Sequence, residues 1–344
     1  MSSDRGIHAM LGLCTAVLAV AALYFARSIF APVACSLFFI AIVWPLQRVL
    51  QARMKLLALA ATVLVTFLVL IMLGSMIIWS FSRVGQWVID DAARFQAMYT
   101  QAADWLEGHD VSVTALVVEN FNMSWVVAAV QAVGGRTSSL VSFAIITFVF
   151  TVLGLLEVDI VRMNFALIRG AESGKGLMQV GADIALKFQK YMLVRSEVSA
   201  LTGVVVWGFA LIAGLELATA WGLIAFILNY IPFIGPLIAT VFPAIFALAQ
   251  FESWRLAIIV FSCLNLIQFL IGSYLEPRIA GAALSVSPFL VLFAVFFWSL
   301  LWGIPGAFIG VPIVIALLTI CEQHHSTRWI ATLLSGRAGA PTRS

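Results

Sequence analysis

The 344-residue chain is predicted to fold as an all-α, polytopic helical membrane protein, with about eight transmembrane helices, two helical hairpins broken by Pro and Gly, and a small helical extracytoplasmic insert. Three observations predict this. Composition is the first: 63% of residues are hydrophobic, 10% are charged and the mean hydropathy is +1.08, well outside the range of a soluble globular domain. The second is a series of charge-free apolar runs of the length that crosses about 30 Å of hydrocarbon. The third is that two of those runs are too long for one crossing and carry Pro and Gly in their interiors.

Charge and cysteine content exclude other classes. A net charge of +3 without a basic run does not make a nucleic-acid-binding surface. Cys14, Cys35, Cys263 and Cys321 lie in or beside apolar spans with no close pair, so neither a disulfide framework nor a zinc knuckle is indicated.

Residues 1–82 hold three spans, with apolar runs at Ala9 to Ala26, Ile29 to Leu46 and Leu56 to Ser82. The first is expected to be retained, because it is longer than a signal core and a second span follows almost at once. Basic residues cluster after the second run at Arg48, Arg53 and Lys55, and again between Arg162 and Arg195; both segments are expected in the cytoplasm. Residues 83–136 carry Asp90, Asp91, Asp104, Glu107, Asp110 and Glu119 against three arginines, and are expected outside. They open on Val84, Val88, Ala92, Phe95 and Tyr99, a stripe at helical spacing. An insert this small is expected to rest on the membrane part or on a neighbouring subunit.

The fourth span occupies residues 137–157, and residues 158–197 read as cytoplasmic amphipathic helices. Residues 198–322 form the expected transport core, and the basic tail, residues 323–344, returns to the cytoplasm with the amino terminus. Trp44, Trp79, Trp87, Trp221, Trp254 and Trp302 mostly fall near expected span ends, as aromatic belts do.

The core carries the most information. A straight helix from Leu217 to Phe251 would be roughly 52 Å long, so it must break, and Asn229-Tyr230-Ile231-Pro232-Phe233-Ile234-Gly235-Pro236 is where. Pro232 and Pro236 remove backbone donors and Gly235 tolerates a bend. A second long run breaks at Gly303-Ile304-Pro305-Gly306 and at Pro312. Each broken run follows a single span, Val198 to Leu215 and then Leu256 to Leu275, and parity brings the two pairs in from opposite faces. That is the pattern of an inverted repeat, whose broken helices meet near the midplane around a substrate; the competing explanation is that Pro and Gly are simply frequent in membrane helices.

Asn229 and Tyr230 therefore stand beside a break as candidate substrate contacts, although Asn229 could equally cap freed backbone groups. Between Leu256 and Glu276, Asn265, Gln268, Gly272 and Glu276 follow at spacings that share one α-helical face, ending beside Arg278. Such a stripe should face protein or water. Glu276 is a candidate proton or cation carrier tuned by Arg278, or an interfacial charge in water. Pro232, Gly235, Pro236, Gly303, Pro305, Gly306 and Pro312 are expected to serve as hinges or turns rather than ligands.

No enzyme signature stands out, and no cofactor is indicated. The segment 170–176 lacks the spacing and the final Ser or Thr of a phosphate-binding loop, and His8, His109, His324 and His325 form no metalloprotease pair. Asn122-Met123-Ser124 fits the glycosylation pattern.

From about Lys187 onward the chain resembles the autoinducer-2 exporter family. The resemblance rests on residues 229–236, on Glu276-Pro277-Arg278 with Gly281, Leu284 and Pro288, and on Trp302-Gly303-Ile304-Pro305-Gly306-Ala307 with Gly310-Val311-Pro312. The first half is similar in layout more than in motif. The resemblance implies a homo-oligomer, with a pentamer as the candidate stoichiometry, in the bacterial inner membrane, working without ATP. Cargoes assigned within the family include autoinducer-2 and monovalent cations exchanged for protons. The functional expectation is export of a small polar solute such as autoinducer-2; the rivals are a sodium/proton antiporter and a non-transporting membrane scaffold that holds partners through the outward segment.

Overall fold

The computed structural model describes residues 2–51, 55–91, 94, 137–168, 171–280, 286–323 and 326–334. Every regular element among them is helical, as a chain in lipid requires: a helix satisfies its own backbone groups, and hydrocarbon offers no partner. In order these are α1 (Ser2–Phe25), α2 (Arg27–Gln51), α3 (Lys55–Asp90), α4 (Thr137–Ile168), α5 (Ala171–Ile212), α6 (Ala218–Leu228), α7 (Ile234–Phe251), α8 (Trp254–Phe269), α9 (Glu276–Ala280), α10 (Pro288–Trp302), α11 (Ile304–Gln323) and α12 (Arg328–Leu334). A π-helical turn, Leu270–Leu275, joins α8 to α9.

Among the described residues seven helices are long and apolar enough to cross a membrane, and α1, α6 and α10 contribute shorter apolar stretches. The protein is a multi-pass helical membrane protein. Large exposed side chains such as Leu68, Ile145, Val204 and Phe296 are the ordinary outer surface of such a fold.

Three boundaries differ from those read in the sequence. Helix α3 runs without a break past Ser82 to Asp90, so Val84, Trp87 and Val88 belong to it and pack on a membrane core rather than opening a separate insert. Apart from Asp91 and Arg94, the remaining insert residues, including Ala92, Phe95, Tyr99 and Asn122, lie outside the described residues, as do Gly281, Leu284 and the tail beyond Leu334. Helix α5 is one unbroken rod of 42 residues where amphipathic helices followed by a span were expected. Its sequence contains no proline, and its glycines each cost only about 1 kcal/mol in a helix interior. The stretch from Ala171 that resembles a phosphate loop forms its first turns. Finally, α11 continues through Pro312.

The chain forms two compact units. One comprises Met1–Phe67, Phe143–Tyr191 and Ala282–Ser344; the other comprises Leu68–Ser142 and Met192–Gly281. In the first, Ala294, Val314, Leu318 and Ala331 make a core joining α10, α11 and α12. Phe38 of α2 packs edge-on against Phe188 of α5 and Phe308 of α11, and the Trp302 indole donates to the Leu23 carbonyl at 3.1 Å. In the second, Val206, Ala210, Trp221, Ala225, Phe246, Val260 and Leu264 bring α5, α6, α7 and α8 together around Trp87 of α3.

Candidate functional site

Each unit contains one broken hairpin. In the second unit α6 ends at Leu228 after 11 residues, about 16 Å of helix, too short to cross the hydrocarbon. The chain then turns through 229–233 and leaves as α7. The turn is closed by short backbone bonds: Ile231 N–H donates to Leu228 O at 2.9 Å and Ile234 N–H to Pro232 O at 2.7 Å. The positive φ that this reversal needs falls on Phe233, at 63°, and not on Gly235. Gly235 has another task. A Cβ there would run into the carbonyl of Leu228, so its bare Cα lets the first turn of α7 lie directly on the end of α6. Pro236 sits in the first turn of α7, where a missing N–H removes no helical bond.

The first unit repeats the device in α10 and α11. Gly303 takes the positive φ, at 67°, Pro305 lies in the first turn of α11, and a Cβ on Gly306 would meet the carbonyl of Trp298.

The polar groups beside the first break converge on a single turn of α5. Asn229, 5% exposed, donates its side-chain N–H to Ser199 Oγ at 3.3 Å, and Ser199 is itself fully buried. The Tyr230 hydroxyl donates to Ser196 Oγ at 3.0 Å, and the Phe226 ring packs edge-on against Tyr230. On the same turn the Arg195 guanidinium pairs with Glu276, its Nη1 lying 3.0 Å from Oε1 and 3.1 Å from Oε2. Three consecutive polar contacts thus hang on residues 195–199.

Glu276 reaches Arg195 through the π-helical turn. Its backbone N–H bonds back to Ile271 O, five residues away, where an α-helix would use the fourth. That wider turn departs from the α-helical register that would align Glu276 with Asn265 and Gln268. Asn265 is exposed and donates to the Phe261 carbonyl of its own helix at 2.8 Å, whereas Gln268 Nε2 is buried with no partner among the described residues. Arg278 lies over the Tyr274 ring at 4.0 Å, away from the Glu276 pairing. The structure therefore brings Asn229, Tyr230 and Glu276 to one helix turn, and leaves Asn265 and Arg278 off it.

Arg195, Ser196 and Ser199 were not singled out in the sequence. Arg195 counted there only as one of several cytoplasmic basic residues. Its signal was the run Arg195, Ser196, Ser199, Thr202 on one side of α5, where Ser199 and Thr202 are fully buried.

The arrangement can bind and release hydrogen-bonding groups. A buried amide, a phenol and two hydroxyls each offer exchangeable donors and acceptors, beside a half-buried charge pair. Among the described residues no group of His, Cys, Asp and Glu is placed to hold a metal ion. An open groove of about 320 Å³ between α3, α5 and α6 is lined by Met76, Ala200, Gly203, Trp207, Gly222 and Phe226. Its walls are apolar, which suits lipid rather than a polar solute.

A family model described as AI-2E family transporter matches residues 13–325. A protein of Borreliella burgdorferi with a provisional transport-protein name is 31% identical over 232 residues, 65% of this chain and 62% of that protein. The AI-2 transport protein TqsA of Escherichia coli K12 is 36% identical over 145 residues, 42% of each chain. A Haemophilus influenzae protein, also with a provisional transport-protein name, is 24% identical over 97% of this chain and 98% of its own length. The matched part thus spans less than two thirds of the first two relatives.

Proposed function

The chain belongs to the AI-2E transporter family, and from that premise we propose that it moves a small polar solute across a bacterial inner membrane, without ATP, by separating the broken hairpin α6–α7 from α5. The supporting observation is the satisfied state of the break. Asn229 spends one side-chain N–H on Ser199 and Tyr230 its hydroxyl proton on Ser196, so those donors become free for a solute when α5 withdraws. Neutral contacts of this kind contribute about 1 kcal/mol each, small enough to exchange during a transport cycle. Autoinducer-2, or a related hydroxylated molecule, is the first candidate cargo, drawn from the name of the TqsA relative.

The test is purified protein in liposomes loaded with autoinducer-2. Wild type should release it faster than empty liposomes, and Asn229→Ala should lose most of that rate while remaining folded. Equal release by both proteins would reject the role of Asn229.

A second reading is favoured by the ion pair. Glu276 is an ionisable group held by Arg195 next to the break, which a simple solute path does not need. Under this reading the protein exchanges sodium for protons. Imposed sodium gradients should then drive proton movement in wild type and not in Glu276→Gln; gradient-independent behaviour of both would reject it.

A further inference from the structure

The break is one end of the hairpin α6–α7. At its other end α5 passes into α6 and α7 stops, and that end is the more firmly tied. Gln250, at the end of α7, uses both groups of its amide on the link 213–217: its Oε1 accepts from the Glu216 N–H at 2.9 Å, and its Nε2 donates to the Gly214 carbonyl at 2.8 Å. The Glu216 carboxylate in turn accepts from the Trp87 indole of α3 at 2.6 Å, a charge-assisted bond and so stronger than a neutral one. Beside these bonds Trp87 packs on Phe246 of α7, ring centroids 3.9 Å apart, and Phe246 on Trp221 of α6 at 5.1 Å; all three side chains are buried. The polar groups of the break reach α5 only through two neutral bonds, of 3.3 and 3.0 Å.

Between the two ends α5 and α6 touch through glycines. A Cβ on Gly203 would meet Phe226 and the Gly222 carbonyl, and one on Gly222 would meet Trp207 and the Gly203 carbonyl, so the backbones lie against each other with no side chain from either glycine to key them. The link itself is bent, with Gly214 at φ 70° and Leu217 at 57°. Helix α6, 11 residues long, is a lever of about 16 Å, and a tilt of about 10° about its fixed end carries the far end about 3 Å, enough to part Asn229 from Ser199.

We propose that Gln250, Glu216 and Trp87 are positioning residues that fix this end of the hairpin as a pivot, so that α6 and α7 swing as one arm and only the break leaves α5. Gly235, seated on the Leu228 carbonyl, keeps the two arms together at the moving end. This pivot rests on the reading that α5 and the break part, and adds where that motion is anchored.

The test uses the full chain in liposomes, with Cys14, Cys35, Cys263 and Cys321 replaced. Nitroxide pairs are placed across the pivot, Leu211→Cys with Glu252→Cys, and across the break, Ala200→Cys with Phe233→Cys, all exposed positions. With autoinducer-2 or a sodium gradient supplied, the break pair should gain a longer distance while the pivot pair keeps a single one. A pivot pair that lengthens together with the break pair would overturn the pivot and leave the parting intact. A break pair that never lengthens in transporting protein would reject the parting, and the pivot with it. Gln250→Leu should add a second pivot distance and lower the maximal transport rate several-fold, with half-saturation unchanged because Asn229 and Tyr230 are untouched; a maximal rate equal to wild type would overturn the positioning role. Hydrogen exchange needs no cargo: the Glu216 amide should exchange several-fold faster in Gln250→Leu than in wild type, and equal exchange would overturn the clamp.

Discussion

Arg195 and Glu276 form a pair whose side chains are 11% and 25% exposed, so each charge depends on the other for much of its solvation. Removing one leaves the other uncompensated; removing both does not. Arg195→Gln and Glu276→Gln should each lower unfolding stability in detergent by about 1–3 kcal/mol, with the double variant falling short of their sum by at least about 1 kcal/mol. Additive losses would show that the pair is not coupled. At Asn229 the expected cost is different in kind. Ser199→Ala leaves a buried amide without its acceptor, and should destabilise by about 1–3 kcal/mol while weakening the hold on the closed break. In liposomes that variant should therefore transport at least as fast as wild type, a result that a purely structural serine would not produce. Asn229, Tyr230 and Glu276 were legible in the sequence because polar groups stand out in apolar runs. Their partners were not, since short hydroxylated residues are common in helices and only tertiary packing shows which of them meet a break.

The break itself was legible as an element, but the reason for its shape was only half visible. Prolines and glycines marked where the two long runs reverse. What a sequence cannot show is whether a glycine is needed for its φ or for its missing side chain, and Gly235 and Gly306 turn out to be of the second kind. Gly235→Ala and Gly306→Ala should each cost about 1–3 kcal/mol, as overpacking against a backbone carbonyl does, whereas Gly74→Ala, whose Cβ meets nothing within 4 Å, should be neutral or stabilising. Thermal unfolding in detergent checks all three. Phe233 carries the strain instead, and Phe233→Gly should relieve about 1 kcal/mol of it, less the entropy a glycine returns to the unfolded chain. Helix α5 was misjudged in its continuity for a simple reason: charges at 183, 187 and 190 suggested an interface, yet Lys187 pairs with Glu322 and Thr319 of α11 and Asp183 accepts from Gln323, so the helix remains packed through its polar stretch.

For the whole molecule, composition and run length were enough to give a polytopic helical membrane protein, because the bilayer tolerates few alternatives. The expected count of about eight agrees with seven long apolar helices and three shorter apolar stretches among the described residues, α6 and α10 being arms of the broken hairpins. The same local device occurs once in each unit, a positive φ followed by a glycine seated on a carbonyl. Family membership agrees with that architecture, while cargo is decided by side chains that only a few positions carry.

The central claim is that α5 and the α6–α7 break part during transport. Nitroxide labels at Ala200→Cys and Phe233→Cys, both exposed positions, report it directly by pulsed electron–electron distance measurement in liposomes, in protein with the four native cysteines replaced. With autoinducer-2 or an ion gradient supplied, a second, longer distance should appear and should grow with the transport rate. One unchanged distance in labelled protein that still transports would contradict the account.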